Sequence, residues 1–359
     1  MQRDTNPTCK AQDLQRSNKV SANRTTPAPE TTRVWEAVGV ASDATEGKSI
    51  HFKLMSYNIL AQSLLERNSY LFKNNEPLHQ DWNKRLDILF KQMFDHYPDI
   101  LCLQEVEVKD FNIINERLEN GGYYGKYKKK TGVTQIDGCA IYVKKGVFEI
   151  EEVTNVEFYQ PKLSAMDHHQ VGLILKVKPC SMSRSMVIAN THLLYHPKNS
   201  LTRLAQLRLF LAEIDRVSYE FNGRNSGHLP IILAGDLNSY SDNIIKLLDE
   251  GQISKYNDWI DEDDMFTSYV LSHSLHFQSV YDTGSTHGNL FFQECCHDFW
   301  NCICIPRAHV DYIYFNFRSG LRPLERLRLG AYGKLPNEYN GSDHQPLVVI
   351  FELNAEKPY

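Results

Sequence analysis

Long hydrophobic runs are missing from this 359-residue chain. No stretch approaches the roughly 18 apolar residues that a membrane-spanning helix needs, and runs such as Ile231 to Ala234 have the length of a buried strand. No membrane partner is therefore expected. An excess of positive charge is also missing, since 39 Lys and Arg face 44 Asp and Glu for a formal net charge of −5. Without a global basic field, any polyanion site has to be local or bridged by a metal. Internal repeats are absent, which excludes solenoids and propellers. The opening MQRDTNPTCK carries Arg3 and Asp4 and no apolar core, so it does not read as a secretory leader. Eight cysteines in such a chain point to a reducing compartment. The expectation is an intracellular protein, with the cytoplasm ahead of the nucleus or mitochondrion.

What is present is ordinary for a globular fold: 42% hydrophobic and 23% charged residues. Residues 1–35 hold few large apolar side chains and end in TTPAPETT, so a disordered polar tail is expected there. Residues 36–359 read as one domain with an irregular, Cys-rich insertion near 252–306. Strand-like runs recur as FKLMSYNIL, DILCLQEV, GCAIYVKK, VGLILKVK, SMVIANTHLL, LPIILAGDLNS, HVDYIYFN and QPLVVIFEL. Several are nearly continuous in apolar residues, as in sheets covered on both faces. Helical spacing appears over Asp87–Tyr97, with Ile88, Leu89, Met93 and Phe94 on one side, over Leu201–Tyr219, and over Asp242–Glu250. Strands outnumber helices, which favours an α+β sandwich of mixed sheets with outer helices over a doubly wound fold.

The informative feature is what ends these strands. Asn58, Glu105, Asn190 with His192, Asp236 with Asn238, and Asp311 close or open apolar runs, and Asp343 with His344 precedes the last. Rigid strand ends are where a sheet presents reactive side chains. Oxygen ligands from Asp, Glu and Asn suit Mg²⁺, with Mn²⁺ as a second candidate, and a neighbouring imidazole suits protonation of a leaving group. Singly, Asn58 reads equally as a turn cap, His192 as a satisfied core histidine and GDLNS as an Asx turn. Glu105 is harder to dismiss, because a carboxylate at the end of a buried strand needs a cation or a donor network. Together the set points to metal-assisted attack of water on a phosphoester.

The ordered motifs SYNIL (56–60), LQEV (103–106), NTHLL (190–194), GDLNS (235–239), VDYI (310–313) and SDHQP (342–346) resemble those of the endonuclease/exonuclease/phosphatase superfamily. The resemblance covers about His51 to Leu353 and implies the deoxyribonuclease I-like fold, a four-layer α/β–β/α sandwich. SYNILAQSLLERNSYLF, WNKRLDIL and PDILCLQEV are similar to the branch holding the poly(A) deadenylases, nocturnin and the Angel proteins. NTHLLYHP, KTGVTQIDGCAI and LPNEYNGSDHQP resemble the Angel group most. Carried over, the resemblance implies Glu105 as principal metal ligand with Asn58 in support and Asp343 nearby. Asp236 would orient or deprotonate the attacking water, and Asn238 would hold a phosphate oxygen or a second metal. His344, paired with Asp311, would donate to the phosphate or leaving group, and Asn190 and His192 would contact the scissile phosphate. Tyr195, Pro197 and His309 are further candidates for touching substrate.

Deadenylases of this branch stack the terminal adenine on a Phe shortly before the VDYI-type motif, whereas CIPRAHVDYI has Pro306 and no Phe. Losing that contact removes about 1–3 kcal/mol of stacking per base. The resemblance thus implies an RNA 3′-end phosphoesterase, with hydrolysis of a terminal 2′,3′-cyclic phosphate ahead of 3′–5′ exoribonuclease action. Hydrolysis of small phosphoesters, and a non-catalytic adaptor for mRNA-decay or translation proteins, are the other classes; no ligand or acid is missing, which disfavours the adaptor. Cys295, Cys296, His297, Cys302, Cys304 and His309 lack paired zinc spacing and read as a reduced cluster. Lys126, Lys128, Lys129 and Lys130 fit either an RNA-gripping segment or a solvated turn. His168 and His169 read as solvent-facing loop residues, and Arg85 as a helix-face residue tied to a carboxylate.

Overall fold

The computed structural model describes residues 33–38, 48–195, 199–221, 226–239, 243–255, 269–281, 310–330 and 334–355. Among these residues the strands are β1 (Trp35–Ala37), β2 (Ser49–Asn58), β3 (Ile100–Glu107), β4 (Tyr123–Lys129), β5 (Asp137–Lys144), β6 (Phe148–Glu157), β7 (Val171–Pro179), β8 (Met186–His192), β9 (Tyr219–Phe221), β10 (Ser226–His228), β11 (Ile231–Asp236), β12 (Gln252–Lys255), β13 (Tyr269–Ser272), β14 (Phe277–Ser279), β15 (Asp311–Asn316), β16 (Leu321–Leu327) and β17 (Leu347–Asn354). The helices are α1 (Gln62–Arg67), α2 (Trp82–His96), α3 (Val108–Asn120), α4 (Ser200–Ser218) and α5 (Asn243–Glu250). No helix among the described residues is long and apolar enough to cross a membrane.

Two mixed sheets carry the fold. One runs β1-β16-β17-β2-β3-β5-β4 and the other β14-β15-β11-β8-β7-β6. Only the β2–β3 and β8–β11 pairs are parallel within them. The period-2 alternation of each strand explains the layering. Leu54, Ile100, Cys102, Ile141 and Val143 of the first sheet meet Leu173, Leu175, Ile188, Ile232 and Ile313 of the second in the central core. Their neighbours Met55, Tyr57, Leu101, Leu103 and Tyr142 face outward onto Leu86, Leu89, Phe90 and Met93 of α2 and Ile114 and Leu118 of α3. On the far side α4 and α5 cover the second sheet through Leu204, Leu207, Phe210, Ile244 and Leu248. The result is the four-layer α/β–β/α sandwich.

Several local expectations are corrected. α2 starts at Trp82, earlier than Asp87, because the Asp81 side chain caps it by accepting from the Lys84 N–H at 3.1 Å. Phe94 is 36% exposed, and the buried face is instead Arg85, Leu86, Leu89, Phe90 and Met93. Lys126, Lys128 and Lys129 belong to strand β4 rather than to a turn, with Lys130 just past its end. The folded chain already includes Arg33 and Trp35, since Arg33 donates to the Arg328 carbonyl and Trp35 pairs with Leu327. The Cys295–Cys304 cluster lies outside the described residues.

Gly235 fixes the register that builds the site. Its φ is +141°, and a Cβ there would sit 2.0 Å from the Thr191 carbonyl oxygen. Glycine lets β11 close against β8, which sets Asp236 beside His192 on one side and Asp311 on the other. Gly235→Ala should cost about 2–4 kcal/mol or prevent folding, read as the midpoint of denaturant unfolding. An unchanged midpoint would show that β11 does not need this approach.

Candidate active site

Antiparallel partners of β2, β3 and β8 begin where those strands end, so all the polar termini gather at one edge of the sandwich. Backbone strain marks the place. Glu105 sits at φ +59° where the β3–β5 register slips between Leu103 and Val106, and Leu60 and Asn238 also have positive φ. Such conformations cost about 1–3 kcal/mol each and persist where surroundings enforce them. Here Glu105 is 8% exposed and accepts from the Ala61 N–H at 2.8 Å and the Asn58 Nδ2 at 3.1 Å.

The same Asn58 Nδ2 donates to Asp236 Oδ2 at 3.0 Å, so one amide bridges two buried carboxylates. Asp236 Oδ1 accepts from the Asn238 N–H at 2.9 Å, so the Asx-turn reading of GDLNS also holds. His192 lies between the carboxylates, with Nδ1 3.9 Å from Glu105 Oε1 and Nε2 3.7 Å from Asp236 Oδ2. His344 Nδ1 is 2.7 Å from Asp311 Oδ2, and its Nε2 is 3.8 Å from Asp236 and 3.9 Å from Asp343.

Burial governs the protonation states. It raises the Asp236 carboxyl to about 7, with Asp311 adding to the rise and His344 opposing it. Burial and then the nearby Asp343 raise Glu105, and burial raises Asp343 against the pull of His344 and Arg85. Burial alone would lower His344, but Asp311, Asp343 and Asp236 overcome it and hold the imidazole well above its ordinary value. His192 goes the other way: burial, Lys130 and His344 all favour its neutral form. The site therefore holds one imidazole inclined to be charged and one inclined to be neutral.

Three expected roles are not matched by the geometry. Asn58 turns its nitrogen rather than its oxygen toward the carboxylates: its Oδ1 accepts from the Leu60 N–H at 3.0 Å and its Nδ2 donates to Glu105 and Asp236. Asn190 is fully buried between the sheets. It donates to the Leu103 and Ala140 carbonyls, both at 2.9 Å, and accepts from Gln104 at 2.7 Å, which leaves no N–H for a phosphate. Arg85 is tied to backbone carbonyls rather than to a carboxylate. Tyr195 is 57% exposed on the loop after His192, and burial, Tyr70 and Asp343 raise its hydroxyl. Pro197 and His309 lie outside the described residues.

Of the remaining candidates, Lys130 pairs with Asp137 at 2.7 Å in a buried position and Lys128 pairs with Glu157, so neither is a solvated turn residue. His169 stacks on Tyr159 and shares a hydrogen bond with the Thr131 hydroxyl. Sequence reasoning missed Ser342, whose hydroxyl donates to the Asn58 carbonyl at 2.7 Å and accepts from the His344 N–H at 3.1 Å. A Ser directly before Asp343 and His344 was the available signal.

The donor set fits a divalent cation. After burial itself, the Asp343 carboxylate raises Glu105 and the Asp311 carboxylate raises Asp236, a repulsion that a nearby cation would relieve. The buried His192 Nδ1 has no hydrogen-bond partner among the described residues. One ligand atom each from Asp236, Asp311 and His344 also falls within a 4.8 Å group, although Asp311 is already engaged by the imidazole.

A family model for endonucleases, exonucleases and phosphatases matches residues 55–344. The chain belongs to the endonuclease/exonuclease/phosphatase family. Angel homolog 2 of Danio rerio is 38% identical over 415 residues, covering 93% of this chain and 71% of that protein. Angel homolog 2 of Bos taurus is 39% identical over 208 residues, which cover 57% of this chain and only 37% of the bovine protein. A crystal structure of ANGEL2, a 2′,3′-cyclic phosphatase, in complex with adenosine-2′,3′-vanadate superposes with a TM-score of 0.74 at 30% identity. It covers 90% of this chain and 99% of its own. Membership makes the chain a phosphoester hydrolase with the family's general dependence on a divalent metal.

In the metal-free protein Asp236 keeps a proton to about pH 7, against 3.8 for the ordinary carboxyl. The folded state then binds more protons than the unfolded chain, and stability falls as pH rises between those values. Asp236→Asn removes that contribution, so its melting-temperature advantage should grow from pH 5 to pH 8 while turnover drops by about 10²–10⁴-fold. An advantage that does not change with pH would contradict the raised value.

Proposed function

We propose that the chain is a Mg²⁺-dependent phosphoesterase that hydrolyses the 2′,3′-cyclic phosphate at RNA 3′ ends. The observation that carries the reading is the match to the ANGEL2 cyclic phosphatase holding a cyclic adenosine vanadate, across nine-tenths of this chain. The site's own geometry supports it. Glu105, with Asp343 nearby, would hold the cation, which when bound supplies positive charge at a phosphate oxygen and at the attacking water. Asp236, poised near pH 7 and fixed by Asn58 and Asn238, would take the proton from that water. Oxygen–phosphorus bond formation then breaks one ester bond of the ring, and the released 2′ or 3′ oxygen takes a proton from His344. Asp311 orients that imidazole through its 2.7 Å bond and stabilises the charged form. A second water attack on the monoester would release inorganic phosphate.

Asn238 donates to the Leu193 carbonyl at 2.9 Å, which fixes the side chain and leaves its second N–H for a phosphate oxygen. Neutral His192 would add one more donor. Tyr195 and Tyr70 are 57% and 62% exposed, and each lies within electrostatic reach of the other at the rim. They offer the terminal base an aromatic surface where the motif before Asp311 has Pro306 in place of Phe.

The test uses one labelled RNA with either a 2′,3′-cyclic phosphate or a 3′-OH poly(A) end, Mg²⁺, and Glu105→Ala as control. Loss of the cyclic phosphate without shortening, abolished by Glu105→Ala, is the expected result. A ladder of shortened tails would instead establish an exonuclease. Tyr195→Ala should raise KM by about 5–150-fold with kcat little changed. An unaltered KM would remove Tyr195 from the substrate surface.

A further inference from the structure

Arg85 is fully buried on the core-facing side of α2, beneath the catalytic edge. Its guanidinium is a three-way fork. Nε donates to the Gly341 carbonyl at 2.7 Å, Nη2 to the Ile59 and Leu60 carbonyls at 2.7 and 2.6 Å, and Nη1 to Gln62 Oε1 at 2.8 Å. Among the described residues no carboxylate lies within ion-pair distance of it, and Trp82 stacks 5.5 Å from its charge. A desolvated cation held by carbonyls, an amide and one ring face is poor glue for a core, where an apolar side chain packs at lower cost.

Both groups of carbonyls belong to loops that carry the site. Next to Leu60, itself at φ +55°, the Ala61 N–H donates to Glu105, and the Leu60 N–H holds Asn58 Oδ1. Next to Gly341, Ser342 links the Asn58 carbonyl to the His344 N–H. The Gly341 loop is seated tightly on α2: a Cβ there would lie 2.7 Å from the Arg85 carbonyl oxygen and 2.9 Å from Leu89. Gln92, one heptad along the same helix, adds to the grip through Asn340, whose amide donates to the Ser342 and His344 carbonyls.

We infer that Arg85 is a positioning residue: its fork ties the loop behind Asn58 to the loop ahead of His344 and so sets the distance between the metal-holding carboxylate and the acid. It touches neither substrate nor metal. Lysine keeps the charge but has a single ammonium, which cannot reach both loops with this planar geometry. The inference rests on the phosphoesterase reading for its kinetic and Mn²⁺ readouts, and stands apart from it in the loop-exchange readout.

The experiment compares Arg85→Lys with Arg184→Lys. Arg184 is a matched control, a mostly buried arginine that donates to the Asn354 and Ser319 carbonyls at the opposite end of the sandwich. Mn²⁺ affinity is measured by calorimetry without RNA, loop order by hydrogen exchange over residues 58–62 and 340–345, and kcat and KM on the cyclic-phosphate RNA. Arg85→Lys should weaken Mn²⁺ binding and lower kcat, each by about 10–100-fold, with KM within about threefold and faster exchange in both loops. Arg184→Lys should lose stability with none of these changes. If the two variants behave alike, Arg85 is only core glue and the inference fails. Should Arg85→Lys not fold, Gly341→Ala pushes the loop off α2 while keeping the arginine. The same loss of Mn²⁺ affinity supports the clamp, and an unchanged affinity overturns it. If the wild type binds no Mn²⁺, the metal reading fails on its own, and selective exchange in the two loops alone decides for or against the clamp.

Discussion

Everything at the catalytic edge depends on amides that take over where the apolar core stops. Between the sheets the packing is Leu, Ile, Val and Phe, and such a core specifies spacing but not the relative position of polar groups. At the last layer Asn190 of the second sheet is hydrogen-bonded to the Leu103 and Ala140 carbonyls and to Gln104 of the first. One step further out, Asn58 of the first sheet donates to Asp236 of the second. Every one of these groups is buried, so a slip of one residue in either sheet would strand several polar atoms without partners. The polar seam thereby converts an apolar sandwich into a frame of fixed geometry.

That frame is held at a cost. Glu105, Leu60 and Asn238 have left-handed backbones, and burial works against the ionised forms of Glu105, Asp236 and Asp343. Strain and repulsion concentrate where a cation and a phosphate would relieve them, as in a site organised for the transition state rather than for its own stability. The opposite leanings of His344 and His192 follow from the same burial, because only His344 has a carboxylate at hydrogen-bond distance. Two imidazoles in one pocket are thus set apart as charged donor and neutral neighbour.

Much of this was legible in the residues. The near-continuous apolar runs marked β2, β3, β5, β7, β8, β11, β15 and β17, and the polar residues at the ends of six of them, β2, β3, β8, β11, β15 and β17, pointed to a reactive edge. The weaker strands β4, β6 and β16 were hidden, because charged alternation such as KYKKK or VTNVE lacks an apolar signature and their pairing is decided by neighbours. The amides were misassigned for a related reason. A sequence shows that Asn58 and Asn190 stand at strand ends, but not which way an amide faces or whether a carbonyl already occupies it. Arg85 reads from the sequence only as a helix-face residue tied to a carboxylate. Its partners are backbone carbonyls as far as 256 residues away in the chain, which no residue pattern reveals.

In the proposed mechanism Glu105 holds the cation and His344, oriented by Asp311, is the proton donor. The most direct test is a crystal structure with Mn²⁺, its position fixed by anomalous scattering. The ion is expected within ligand distance of the Glu105 carboxylate, with the His344–Asp311 bond intact. An ion inside the Asp236–Asp311–His344 triangle would contradict that mechanism, because His344 would then be a ligand and could not serve as the acid.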